Sequence, residues 1–516
     1  MDINSLPDDP AVLKSVIADH QTQIAELEKR IRLLNLIIYG PKSEKKPRTG
    51  QEQQLSLFDE AEQTVEEQAP QTFEEACAPA RTRGKRGRRP IPADLPRVEV
   101  VHDLPESEKT CPCGAALTRI GEEVSEKLDI VPAKIQVIRH IRPKYACRIC
   151  EGVEDGGPTV KTAPMPPQII PQGIVTPGLL AHVAIAKYAD ALPLYRQEDQ
   201  FARLGLDVSR GTLAGWMIRV AKACDPLIDM IIEEIRSGPI VNMDETTVQV
   251  LREPDRANTT KSTMWVARGG TPEKPVVVFR YHPTRAGSVA EEILGAFQGY
   301  LQTDGYSGYE ALGEREGLRH LGCLAHVRRK FIEVEKSAGK KVTGGTAHAA
   351  LDLIGTLYGV ERQAEKQKLK PEQIAALRAE KSGPILDKLK ALLDARVAST
   401  PPKSLLGRAI NYALKQWDRL VVYLEDGRLR PDNNLAENAI RPFAVGRKNW
   451  LFSGHPRGAD ASATLYSLIE TAKANGLEPY RYLRHLFEKL PLATTDAERK
   501  ALLPQHLDPQ SLIVPA

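Results

Sequence analysis

Three acidic residues stand where a chain would place groups for metal-assisted chemistry. Asp244 follows the apolar run PIVNM and Asp304 follows GYLQT, each before polar or glycine-rich residues, so both are expected at strand ends facing one crevice. Glu437 lies just beyond the capping cluster Asp432-Asn433-Asn434, in the first turn of a helix that can project it back toward the sheet. Three carboxylates brought together repel one another unless a divalent cation holds them, and oxygen-only ligands favour magnesium or manganese over zinc. The chemistry that uses such a cluster is phosphodiester cleavage, with two ions about 4 Å apart on the attacking and leaving oxygens. A chain with 67 acidic residues offers many triples, and spacing alone does not single this one out. Two neighbours are set aside: Asp432 is expected as a cap, and Glu245 should point to the opposite face of the strand from Asp244.

Sulfur and nitrogen ligands form a second group. Cys111-Pro-Cys113 and Cys147-Arg-Ile-Cys150 flank a β-rich stretch, and four thiolates from two such knuckles can close a tetrahedral zinc site. The first pair is tighter than the usual C-x2-C, so reduced, unliganded cysteines are the alternative. His320, Cys323 and His326 are also spaced by three, but on a strand running into a helix they are expected not to converge, and a fourth ligand is missing. His326 is better suited to supporting Asp304 or touching DNA.

Basic residues cluster near these acids. Arg441, Arg447 and Lys448 follow Glu437 and suit phosphates beside a scissile bond, while Trp450 suits either an unpaired base or the core. Arg328, Arg329 and Lys330 form a basic turn that fits a DNA backbone or a solvated helix face equally well. Arg81, Arg83, Lys85, Arg86, Arg88 and Arg89 make a basic arm, RTRGKRGRRP, of the kind that lies in a narrow minor groove or acts as a nonspecific tether.

The elements that must position these groups can be read in outline. Ile17, Ile24, Ile31 and Ile38 recur every seven residues, with Leu13, His20, Leu27 and Leu34 in a second register, which predicts a parallel two-stranded coiled coil over 1–41. A lone amphipathic helix is the alternative. Residues 42–90 read as a charge-segregated linker, 91–160 as a small zinc-binding module, and 161–236 as helical. In the helical part, Glu198–Leu204, a turn at 205–208 and a helix from Ser209 through Val220 resemble a helix-turn-helix, with Arg210 and Thr212 at its exposed start; plain helix packing competes. Over 237–455, three strand patterns, a helix near Ser288–Phe297 and a fourth strand predict a mixed α/β sheet, into which 346–425 is a helical insertion. Residues 456–516 read as a helical tail.

The chain has 516 residues and a net charge of +4, which by itself neither requires nor excludes a polyanion. The charge is sorted along the sequence: 51–80 hold eight acids and no Lys or Arg, and 81–90 hold six basic residues and no acid. No apolar run reaches the ~18 to 20 residues that span a bilayer, and the start lacks a signal-peptide pattern, so a cytosolic protein with no membrane partner is expected. Seven cysteines without a secretion signal argue against a disulfide framework.

The strings VNMDETTVQV, LQTDGYSGY, CLAHVRRKF and NNLAENAIRPFAVGRKNWLFSG, in this order, resemble those of insertion-sequence transposases of the IS-sixty-six type. The resemblance extends over nearly the whole chain, including the zipper and the CPCG…C-x2-C module. It implies a ribonuclease-H-like catalytic core with a DDE triad at Asp244, Asp304 and Glu437, at intervals of 60 and 133 residues. It implies two magnesium or manganese ions there, a structural zinc on Cys111, Cys113, Cys147 and Cys150, and double-stranded DNA (element ends and target) as partner. Water, and then a DNA 3′-hydroxyl, would attack the phosphodiester without a covalent enzyme intermediate. A homodimer or larger assembly, accessory proteins of the same element and a nucleoid location in a bacterial cytoplasm complete the expectation. An inactive DNA-binding regulator and a nuclease without strand transfer are the rival classes.

Overall fold

The computed structural model describes residues 134–146, 160–338 and 344–512, together with seven helical positions between 20 and 31. By internal contacts the chain divides into two units, Pro70–Ile141 and the remainder, Met1–Ala69 with Arg142–Ala516. In the first, the described residues 134–141 have no regular secondary structure and are mostly exposed. The basic arm Arg81–Arg89 and the four candidate zinc ligands Cys111, Cys113, Cys147 and Cys150 lie outside the described residues. So do most positions of the predicted coiled coil; His20, Ile24, Leu27 and Ile31 are helical and exposed.

In the larger unit a short antiparallel pair, β1 (Lys144–Ala146) and β2 (Val160–Thr162), precedes three helices, α1 (Pro177–Tyr188), α2 (Leu194–Arg203) and α3 (Arg210–Ser237). Ser209 caps α3 as its sequence predicts, its hydroxyl accepting from Thr212 N at 3.2 Å. The helix does not stop at Val220 as expected but runs to Ser237 through Pro226, because Leu227, Ile228, Ile231 and Ile235 continue its buried stripe. Gly205 makes the turn before it with φ +82°, a conformation that favours glycine.

The sheet begins with β3 (Ile240–Val250), β4 (Lys261–Thr271) and β5 (Lys274–His282), an antiparallel run rich in β-branched residues. Helix α4 (Gly287–Leu294) then leads to β6 (Gly299–Gln302) and β7 (Leu318–Leu321), which are parallel to β3 and to each other. The strand order is β5-β4-β3-β6-β7, with the two-residue β8 (Phe452–Ser453) beside the far end of β3. The mixed α/β sheet expected from the sequence is therefore present.

Helix α5 (Leu324–Ala338) follows β7, and α6 (Thr346–Lys366), α7 (Gly383–Val397) and α8 (Leu405–Lys415) form the helical segment. Leu386, Leu389 and Leu393 of α7 and Ile410 of α8 share one core with Val327 and Phe331 of α5. Arg378 is buried in it, paired with Glu361 at 2.7 Å and donating to the carbonyls of Tyr423, Asp426 and Leu429. That clamp fixes the chain just before α9 (Asn434–Trp450).

The last large helix, α10 (Pro456–Ala474), lies along β5. An edge strand presents unpaired backbone groups, and α10 supplies hydroxyls to them. Val277 N donates to Thr471 Oγ1 at 3.0 Å, and Phe279 N donates to Ser467 Oγ at 2.7 Å. Among the described residues no helix is long and apolar enough to cross a membrane.

Candidate active site

Asp244 is the fifth residue of β3, not at its end as expected, because the β-branched run TTV carries the strand on to Val250. The opening beside it arises from the neighbouring strands. β6 pairs with β3 only over Ile240–Asn242, and β8 only over Gln249–Val250. Between these stretches, side chains of α9 and of the residue just before it serve the strand's carbonyls. Asn433 Nδ2 donates to Met243 O at 2.8 Å, and Arg447 donates to the Thr247 carbonyl and to Thr246 Oγ1.

Three buried amides lock this arrangement. Asn242 Nδ2 donates to Gln302 Oε1 at 2.9 Å and to Asn433 Oδ1 at 3.1 Å, and Gln302 Nε2 donates to the Arg430 carbonyl at 2.8 Å. Asn242 and Gln302 lie two residues before Asp244 and Asp304, and Asn433 lies four before Glu437. One hydrogen-bonded ladder therefore sets the relative positions of the three segments that carry the carboxylates. Fully satisfied buried networks of this kind specify a single geometry.

The local turns finish the placement. Asp304 Oδ1 accepts from Tyr306 N at 2.9 Å, and there is no room for a side chain on the next residue, since a Cβ on Gly305 would lie 2.5 Å from the Tyr412 hydroxyl of α8. Asp432 supplies the cap of α9 as expected, while Asn433, at the N-cap position, makes no side-chain cap bond of its own. Asp432 Oδ1 accepts from Asn434 N at 3.3 Å, which leaves the Asn433 side chain for the ladder. Glu437, in the first turn of α9, is only 2% exposed.

Electrostatics joins the three acids. Asp244 is half-buried, and the protein packed around it, with the charges of Glu245, Glu437 and Asp304, holds its carboxyl well above the usual range. Glu245, expected to face away from Asp244, has a buried side chain within electrostatic reach of it. Burial and Asp304 raise its carboxyl, while Tyr309 and Arg285, both hydrogen-bonded to it, act in the opposite direction. A group of mutually repelling carboxylates that the fold holds in place fits a hard divalent cation.

The other expected site residues are distributed unevenly. Arg210 is exposed at the start of α3. Arg329 points inward, with a guanidinium nitrogen 3.9 Å from Glu437 Oε2, and Lys330 Nζ lies 4.5 Å from the centre of the Tyr412 ring. Arg328, Arg441 and Lys448 are half-buried on α5 and α9, and Arg447 is engaged by β3. Trp450 packs edge-on to Phe443 at 5.4 Å, in an aromatic cluster with Tyr466 and Phe279.

The expectation that His320, Cys323 and His326 stay apart is corrected in part. His320 turns away to Thr303, 2.8 Å from its hydroxyl, but Cys323 and His326 converge on Glu437. Sequence reasoning missed this because the third ligand is supplied from 114 residues beyond Cys323. It also missed the amide ladder, whose only signal is an amide shortly before each acidic residue.

Comparison with known proteins places these features in a family. The Transposase IS66 family model matches residues 172–461, the zinc-finger binding domain of transposase IS66 matches 108–151, the IS66 C-terminal element matches 467–505, and Transposase C of IS166 homeodomain matches 26–100. The chain is similar to two proteins of Sinorhizobium fredii (strain NBRC 101917 / NGR234). It is 38% identical to uncharacterized protein y4jD over 426 residues, 80% of this chain and 81% of that protein. It is 35% identical to uncharacterized protein y4qI over 516 residues, 97% of this chain and 92% of that protein. The first of these matches spans more than half of the sequence and all three acidic segments, and the chain belongs to the IS66 transposase family.

Proposed function

We propose that this protein is a DNA transposase whose Asp244, Asp304 and Glu437 hold two magnesium or manganese ions for phosphodiester cleavage and strand transfer. The observation that carries the proposal is the amide ladder, which ties the three acid-bearing segments together around Asp244, whose carboxyl the charges of Glu437 and Asp304 help to raise. The strand order, three antiparallel strands followed by two parallel ones on the far side of the first, supports a ribonuclease-H-like core. When bound, the metal pair would supply activation of the attacking oxygen and stabilisation of the leaving oxygen. The chain's own part is to present three carboxylates in fixed register; the burial and repulsion that raise Asp244 are what bound divalent cations would offset.

DNA contacts follow from the same proposal. Arg441 and Lys448 on α9, Arg328 and Lys330 on α5, Arg210 on α3 and the arm Arg81–Arg89 supply positive charge for the phosphates of element ends and target. In this scheme Arg447 and Arg329 position β3 and Glu437 and do not bind phosphate directly. Cys111, Cys113, Cys147 and Cys150 hold a structural zinc, and the exposed Ile24, Leu27 and Ile31 form the seam of a homodimer that brings two ends together.

The test is nicking and joining of a linear DNA carrying the element ends, with magnesium and the element's accessory proteins, by the wild type and by Asp304→Asn. The wild type should nick and join, while the variant should bind the same DNA and lose at least ~100-fold in rate. A wild type that binds the ends but leaves every strand intact refutes the catalytic proposal.

A further inference from the structure

Cys323 lies in the two-residue link between β7 and α5, and His326 in the first turn of α5, where Glu437 reaches them from α9. A sulfur, a ring nitrogen and a carboxylate oxygen, one from each, all lie within 4.8 Å of one another, and all three residues are buried. His326 Nδ1 is 3.6 Å from Glu437 Oε1, and Cys323 Sγ is 3.9 Å from the same oxygen. A tetrahedral ion with bonds of about 2.3 Å to sulfur and about 2.0–2.1 Å to nitrogen and oxygen has N···O and S···O edges of about 3.4 and 3.6 Å. The two separations exceed those edges by only about 0.2–0.3 Å, within the reach of small side-chain adjustments.

We propose that Cys323, His326 and Glu437 form a separate site for a borderline-soft divalent cation, zinc being the natural occupant, and that filling it removes Glu437 from the carboxylate cluster. The ligand types decide the selectivity, since thiolate and imidazole prefer zinc or cobalt to magnesium. The surroundings are built for a ligating sulfur: Asn433 N donates to Cys323 Sγ at 3.3 Å, an outer contact that orients and stabilises a thiolate. Arg329 lies near the other carboxylate oxygen, Oε2, which leaves Oε1 toward the sulfur and the imidazole. Three protein ligands leave a fourth position open. Because Glu437 serves both sites, zinc and magnesium compete for it, and zinc should inhibit strand cleavage; this consequence alone rests on the catalytic proposal.

The test uses the full chain given one equivalent of zinc, which a module of four thiolates takes in preference to a site with a single thiolate, and then titrated with cobalt(II), which binds more weakly than zinc and does not displace it. The wild type should take up one further equivalent with a sulfur-to-cobalt charge-transfer band and tetrahedral visible bands. Cys323→Ser should lose the charge-transfer band, and His326→Gln should weaken cobalt binding tenfold or more, with thermal unfolding checking that each variant is folded. A wild type that takes up no further equivalent, or a band that survives in folded Cys323→Ser, overturns the site. This spectrum is read whether or not the chain cuts DNA, so it fails independently of the catalytic proposal.

Discussion

Asn433→Ala would test whether the amide ladder holds the candidate site. The Asn433 side chain is fully buried, donates to Met243 O at 2.8 Å and accepts from Asn242 Nδ2 at 3.1 Å. Its removal leaves the Met243 carbonyl without that donor and reduces Asn242 to its bond with Gln302. At about 1–3 kcal/mol for each of these two buried groups that lose a partner, the loss is about 2–6 kcal/mol. The first turn of α9 would also lose its tether, and a displacement of ~1 Å at such a centre costs on the order of 100-fold in rate. Asn433→Asp separates the roles, because it keeps the acceptor but loses the donor and adds a negative charge near Asp244 and Glu437. It should therefore be worse than alanine in both stability and rate. Urea unfolding and magnesium-dependent nicking of DNA with element ends measure the two effects. An alanine variant within about 0.5 kcal/mol and twofold of wild type, or an aspartate variant better than alanine, would refute the positioning role.

Other perturbations have definite signs. Arg378→Met removes a buried guanidinium that pairs with Glu361 and serves three carbonyls, and should destabilise by about 3–5 kcal/mol, with Arg378→Lys recovering only part of it in thermal melts. Burial, followed by the charge of Arg419, lowers His320 to about 3. The folded state thus binds fewer protons than the unfolded state below the ordinary value of 6.5, so this stability is complete above that value and falls as the solution is acidified toward 3. At pH 5 the loss is about 2 kcal/mol, and His320→Gln should remove that part of the difference between melts at pH 7 and pH 5. Ile24→Lys with Ile31→Lys places charges on the exposed helical seam and should abolish self-association in sedimentation; an unchanged profile refutes the zipper.

How much of this was legible depended on whether the controlling interaction was local. The strands around Asp244 and Asp304 were readable because runs such as PIVNM and KPVVVF carry their own β signal, and the turn and helix at Gly205 and Ser209 because turn and cap chemistry act within a few residues. The extent of β3 was misjudged because its neighbours, not its own residues, open the crevice beside Asp244. Arg447 and Arg329 look from the sequence like phosphate-binding cations, yet a strand without a full partner needs donors, and a buried carboxylate needs a nearby cation. Those needs arise only after the fold brings α9 to β3 and α5 to Glu437, across separations that no local pattern encodes. The same holds for Cys323 and His326, whose spacing was visible but whose third ligand was not. A basic residue beside a predicted acidic centre should therefore first be asked whether the scaffold has an unmet acceptor for it; here that question sends Arg447 and Arg329 inward and leaves Arg441 and Arg210 as the cations to test first for DNA contact.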